Sequence, residues 1–117
     1  MIEEINEADL KRVLDNNQIV IVDYSAVWCG PCRIQHMILE RLQDKYKGKG
    51  VKVVSIDIDK NRNHAEKINI VAVPTLQIFH KGELLKFPDN GDEADRFIGV
   101  QREELLSNIC DKFLKNK

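Results

Sequence analysis

The sequence predicts an α/β protein: a mixed central β-sheet of four to five strands flanked by about four helices. Three observations carry this expectation. Runs rich in β-branched residues alternate with segments whose apolar residues recur at helical spacing. The run Ile19-Val20-Ile21-Val22 lacks polar alternation, the pattern of a strand buried on both faces. Finally, His80-Lys81-Gly82-Glu83 is a tight turn, which makes the last strands antiparallel, whereas strands joined through helices run parallel.

At 117 residues, with 43% hydrophobic and 32% charged side chains, the chain can bury one core and is too apolar to stay disordered. Residues 1–117 read as a single domain. Its 18 Lys and Arg residues are balanced by 19 Asp and Glu, for a net charge of -1. No basic stripe gathers a phosphate backbone, so no nucleic-acid partner is expected. No segment approaches the ~20 apolar residues of a membrane-spanning helix. The acidic start Met1-Ile2-Glu3-Glu4-Ile5 lacks the pattern of a secretory leader, and a cytoplasmic protein with no membrane association is expected. Three cysteines, an odd number, cannot build a complete disulfide framework.

A brief strand around Ile2–Ile5 opens the chain. Residues 6–16 follow as a short helix, with Asn6 as its cap, Asp9 three positions on, and Leu10, Val13 and Leu14 on one face. After the strand Ile19–Ser25, a second helix begins near Cys29–Cys32 and runs to about Tyr46. Its apolar side is Ile34, Ile38, Leu39, Leu42 and Tyr46, and Lys47-Gly48-Lys49-Gly50 ends it. Val51–Ile58 is a strand with alternating faces, Asn61–Ile68 a short helix, and Thr75–Phe79 the strand reversed at Gly82. Leu84–Phe87 and Arg96–Ile98 are strand candidates separated by the turn Pro88-Asp89-Asn90-Gly91 and acidic residues 92–95. The last helix, Arg102–Leu114, gathers Leu105, Leu106, Ile109, Phe113 and Leu114 on one side.

The chemistry lies in Trp28-Cys29-Gly30-Pro31-Cys32, between a buried strand and an amphipathic helix. Free N–H groups and the dipole at a helix start favour a thiolate, so the Cys29 thiol is expected below its ordinary pKa. Cys32, one turn further in, is close enough to pair with Cys29 and is expected to be the more shielded of the two. Pro31 in the first turn sacrifices no intrahelical bond, and Gly30 lets a partner backbone approach. The implied reaction is thiol–disulfide exchange: Cys29 attacks a partner's disulfide and Cys32 resolves the mixed disulfide. Two other readings stand beside it, half of a zinc site and coincidental structural cysteines. For zinc, the only further thiol is Cys110, and His36, His64 and His80 complete no recognisable ligand motif; no metal is expected.

The segment from Ile21 to Arg33, followed by Val73-Pro74-Thr75, Lys81-Gly82-Glu83 and Phe97-Ile98-Gly99-Val100, resembles the thioredoxin family over nearly the whole chain. The resemblance implies a protein-disulfide reductase that works as a monomer on disulfide-containing proteins. It binds no cofactor; its redox centre is a Cys29–Cys32 disulfide, recharged by a flavoprotein thioredoxin reductase using NADPH. The Gly-Pro pair looks like the reducing branch of the family. Asp23 matches the buried carboxylate thought to take the proton of Cys32. Independently, an aspartate in an apolar strand pays for desolvation, which raises its pKa toward a range useful for proton transfer; the ordinary alternative is a turn or edge carboxylate. Pro74 matches the cis-proline facing the cysteines, against a base rate favouring a trans edge proline. Val73 matches the residue whose backbone bonds a substrate chain, and Gly99 the groove glycine that leaves room for it. Trp28 is either core filler or an exposed lip beside the thiol, and the lip reading pairs its indole with Asp59. Val27, Val73 and Ile70 would then form an apolar docking surface.

The chain also departs from the family. Met37 stands where relatives carry a helix-bending proline, either in a straighter helix or as core packing. Ser25 replaces a frequent second tryptophan, and Ser55 stands where some relatives place a lysine near the buried carboxylate. The stretch between Gly82 and Gly99 is longer than usual, predicting an extended hairpin or loop around 84–98, either a tolerated insertion or an element that selects partners. Cys110 is read as a buried free thiol, with an exposed regulatory or dimer-forming thiol as the alternative. Two rival functions remain: a docking or chaperone module without turnover, and a disulfide oxidase or isomerase.

Overall fold

A computed structural model describes residues 1–115; Asn116 and Lys117, the end of the expected domain, lie outside the described residues. The elements run β1 (Glu3–Glu4), a 3-10 turn (Glu7–Asp9), α1 (Leu10–Asn16), β2 (Ile19–Ser25), α2 (Gly30–Lys45), β3 (Val51–Asp57) and α3 (Arg62–Lys67). They continue with β4 (Thr75–His80), β5 (Glu83–Leu84), β6 (Phe87–Asp89), β7 (Asp92–Ala94), β8 (Phe97–Ile98) and α4 (Glu103–Lys115). The main sheet has the order β1-β3-β2-β4-β5, and β8 also pairs with β4. β2 sits in the middle, parallel to β3 and antiparallel to β4. The mixed sheet with four helices is therefore the fold of this chain.

The unalternated apolar run of β2 is explained by what covers each face. Ile19 and Ile21 pack with Leu39 and Leu42 of α2, with Tyr46 at its C-cap, and with Leu106, Ile109 and Cys110 of α4. Val20, Val22 and Tyr24 pack on the other side with Val13, Val54 and Ile56. Period-2 side-chain direction then places Asp23, which follows Ile19 and Ile21 in step, on the face that α2 covers. At the helix before β2, the Asp9 carboxylate accepts the Asn6 N–H at 3.3 Å, the return arm of a capping box.

Three details of the expected elements are corrected. In α2 the buried stripe is Cys32, Gln35, Leu39 and Leu42, continued by Tyr46; Ile34 is exposed and Ile38 half-buried. In α4, Leu105 is exposed, while Leu106, Ser107, Ile109 and Cys110 are buried. In the long segment, Pro88 lies inside β6 rather than in the turn. Asn90 and Gly91 make that turn, at φ 49° and 85°, the left-handed pair that tight hairpins need. The acidic stretch after it becomes the return strand β7. Phe87 and Phe97 meet at 4.8 Å between ring centroids and pack on the α2/α4 core, so the hairpin is rooted in the protein at its base.

Candidate active site

β2 ends at Ser25 and α2 starts at Gly30, so the linker Ala26–Cys29 must turn at the edge of the core; the Cys29 N–H closes that turn on the Ala26 carbonyl at 3.2 Å. Cys29 is the N-cap of α2, with Pro31 in the first helical turn. Its Sγ accepts the Cys32 N–H at 3.1 Å, an otherwise orphaned donor of the helix start. Cys29 and Cys32 are joined as a disulfide, with Cα atoms 5.3 Å apart. Both residues are 5% exposed, so burial does not distinguish them, contrary to the expectation that Cys32 is the more shielded. Position distinguishes them instead: Cys29 caps the helix and faces the Val73 carbonyl oxygen at 3.7 Å, while Cys32 lies one turn inside.

The loop carrying Val73 faces the disulfide, and the Gly99 segment is tied to that loop. The Val73–Pro74 bond is cis. The Gly99 N–H donates to the Pro74 carbonyl at 2.9 Å, setting the Gly99 segment beside the proline loop. Gly99 adopts φ 88°, a conformation that favours glycine, and the space a Cβ would enter there is open. Trp28 is 65% exposed, a surface lip rather than core, and its indole N–H donates to the Asp59 carboxylate at 2.9 Å. Val27, Ile34, Met37, Val71 and Ile98 are also exposed. Met37 is thus not core packing, and α2 runs uninterrupted through it. Ile70 does not join this apolar rim; it packs on the opposite face with the Tyr24 cluster, and Val71, 84% exposed, stands outward in that loop.

Beneath the helix start lies Asp23, fully buried, with neither carboxylate oxygen bonded to any described residue. Burial alone pushes its pKa from 3.8 up to about 7. Ser55, its neighbour across the strand pair, does not relieve it, because the Ser55 and Ser25 hydroxyls bond each other at 3.2 Å. Cys110 is likewise fully buried, and burial raises its thiol to about 12. Among the described residues no group of three or more His, Cys, Asp or Glu side chains is placed to hold a metal, and no helix is long and apolar enough to cross a membrane.

Two residues escaped the sequence reading. Asp57, buried at the end of β3, accepts the Asp59 and Lys60 N–H groups at 2.8 and 3.2 Å and so orients Asp59 toward Trp28. Its signal was an aspartate at the end of a strand whose carboxylate can reach the N–H two residues on, the pattern of an Asx turn. Gln35, fully buried in α2, bonds the backbone of Gln101. Its signal was its step of three from Cys32 and four to Leu39.

A helix-capping disulfide set against a cis-proline on a mixed α/β sheet is the arrangement of a thiol–disulfide oxidoreductase. Residues 1–112 match the model of the thioredoxin family. The chain is 36% identical to a thioredoxin of Synechocystis over 112 residues, 95% of each chain. It is 31% identical to a thioredoxin of Staphylococcus aureus over 113 residues, 97% of this chain and 98% of the other. Among solved structures it resembles a chloroplastic thioredoxin z with a TM-score of 0.80 at 28% identity, covering 99% of this chain and 96% of that one. The chain belongs to the thioredoxin family, and its activity is dithiol–disulfide exchange through Cys29 and Cys32.

Proposed function

We propose that the protein is a cytoplasmic, monomeric protein-disulfide reductase, recharged by a flavoprotein thioredoxin reductase that draws on NADPH. The observation that carries the reading is the position of Cys29: cap of α2, bonded to the Cys32 N–H, and facing the Val73 carbonyl beside cis-Pro74. In the reduced protein that N–H favours negative charge on the Cys29 sulfur. The thiolate attacks one sulfur of a substrate disulfide, forms a mixed disulfide and expels the other sulfur as a thiolate. Cys32 then gives its proton to Asp23 and attacks Cys29 Sγ; the substrate leaves with both sulfurs reduced. Two electrons have passed, and the chain is left as the Cys29–Cys32 disulfide. Asp23 suits the proton step because a carboxyl near pKa 7 accepts and returns a proton at neutral pH. The extended substrate chain lies between Val73 and Gly99, with Trp28, Val27 and Val71 as apolar contacts.

The test is turnover of insulin disulfides with NADPH and a thioredoxin reductase, and separately with dithiothreitol. The native protein is expected to turn over, Cys29→Ser to be inactive, and Cys32→Ser to accumulate a mixed disulfide. Failure of the native protein with both electron sources refutes the reading; activity with dithiothreitol alone refutes the recharging partner only. A reduction potential near thioredoxin's roughly -270 mV is expected, and one near -120 mV points to an oxidase instead.

A further inference from the structure

Gln35 is a fully buried amide on the core-facing stripe of α2, one turn beyond Cys32. An unpaired amide there would be costly, and this one is satisfied at both ends. Its Nε2 donates to the Gln101 carbonyl at 3.2 Å, and its Oε1 accepts the Gln101 N–H at 2.6 Å. Gln101 lies between β8 and α4, in neither element, and its N–H takes no partner from neighbouring backbone. Gln35 therefore treats Gln101 as an adjacent strand would, giving a chain segment outside the sheet the paired backbone bonds that fix its position.

The Gln101 side chain carries the restraint onward. Its Nε2 donates to the carbonyls of Ile98 and Gly99, both at 3.2 Å. The Gly99 N–H in turn donates to the Pro74 carbonyl. A continuous set of hydrogen bonds thus runs from the redox helix through Gln101 and Gly99 to the cis-proline loop. Every link is to the backbone of the groove wall, and none reaches a sulfur.

We propose that Gln35 is a positioning residue that holds the Ile98–Gln101 wall of the substrate groove in place through Gln101, and so sets affinity for protein substrates rather than the rate of sulfur exchange. The proposal rests on the disulfide-reductase reading. A protein substrate needs the wall, because its chain passes Gly99 on the way to Cys29; a small aromatic disulfide reaches the sulfur without it. Losing the pair of bonds to an uncharged segment lets the wall move, and each binding event must then order it again.

The experiment compares native protein with Gln35→Met, which keeps the volume and removes both hydrogen bonds, on insulin and on 5,5′-dithiobis(2-nitrobenzoate). For insulin, KM is expected to rise about fivefold, the equivalent of one net hydrogen bond, with kcat unchanged within about twofold. The rate with the small disulfide is expected to stay within about twofold of native. An unchanged KM for insulin, or an equal fall in both reactions, overturns the proposal. If the native protein reduces neither substrate, the reductase reading has failed instead. Amide hydrogen exchange of native protein tests the clip even if Gln35→Met does not fold. The Gln101 N–H is expected to exchange at least about a hundredfold more slowly than a free amide, and exchange at the free rate overturns the proposal.

Discussion

The floor of the redox site and the support behind its wall each contain a buried polar side chain, and the two are treated in opposite ways. On the floor, Asp23 has no hydrogen-bond partner among the described residues, and the two hydroxyls nearest it in the strand register bond each other. Behind the wall, Gln35 of α2 has both ends of its amide bonded to the backbone of one wall residue, Gln101. An unsatisfied acid holds its proton more tightly and so becomes a chemical group near neutrality. A satisfied amide does no chemistry but fixes geometry. The contrast separates what the site must exchange from what it must hold still.

The largest expected effect concerns the floor. Asp23 keeps its proton in the folded chain up to about pH 7, whereas an ordinary carboxyl releases it near 3.8 on unfolding. Between those values the folded state binds more protons, so stability falls as pH rises through the window and levels off above it. Asp23→Asn removes this loss. It should stabilise the protein by on the order of 4 kcal/mol above pH 7 and far less near pH 4, in urea titrations at the two pH values. The same variant should slow resolution of the mixed disulfide and lose the inflection near pH 7 in the rate. A pH-independent stability gain would show that the floor is merely badly packed.

On the wall the effects are smaller. Gly99→Ala forces an alanine to φ 88° with no steric conflict beyond its own backbone, and should cost about 1–2 kcal/mol in a thermal melt. It should also weaken insulin binding if the open space before Gly99 receives the substrate chain. Next comes the lip: Trp28→Phe loses the bond to Asp59 and should cost about 0.5–1.5 kcal/mol in denaturant titrations. The least is expected at the hairpin tip, where Asp92 and Glu93 are exposed. Replacing both with their amides should change stability by less than about 0.5 kcal/mol and insulin turnover by less than about twofold. A large loss with insulin but not with the small disulfide would make the hairpin part of the docking wall.

How far the sequence could be read follows the same division. The floor was readable because its chemistry is spelled by residue type: an aspartate directly after Ile-Val-Ile-Val, two cysteines flanking Gly-Pro, a strand before and a helix after. The sheet was readable because β2 is apolar on both faces and the Lys81–Gly82 turn forces reversal. The wall was not. Gln35 interrupts the apolar period of α2, so the pattern shifted to Ile34, which is exposed. What decides its burial is the backbone of Gln101, 66 residues away, a relation that no local periodicity contains. Ile70 failed for a related reason: exposure in the loop after α3 depends on which side of the sheet the chain crosses, and Ile70 turned inward. In the hairpin, Pro88 looked like a turn residue, but the pair needing left-handed backbone was Asn90-Gly91, and it took the turn.

Cys110 has a practical meaning for anyone counting sulfhydryls. Carried by α4, sealed in the core that α4 shares with α2 and held in its neutral form, it is inert to alkylation while the chain stays folded. Under native conditions a maleimide tag should therefore register the redox couple alone: none when oxidised, and the helix-capping Cys29 first when reduced. A tag on Cys110 would report that the molecule had opened. The leftover cysteine is thus a built-in tracer of global unfolding, separable in a single mass spectrum from the electron state of the redox pair in the same chain.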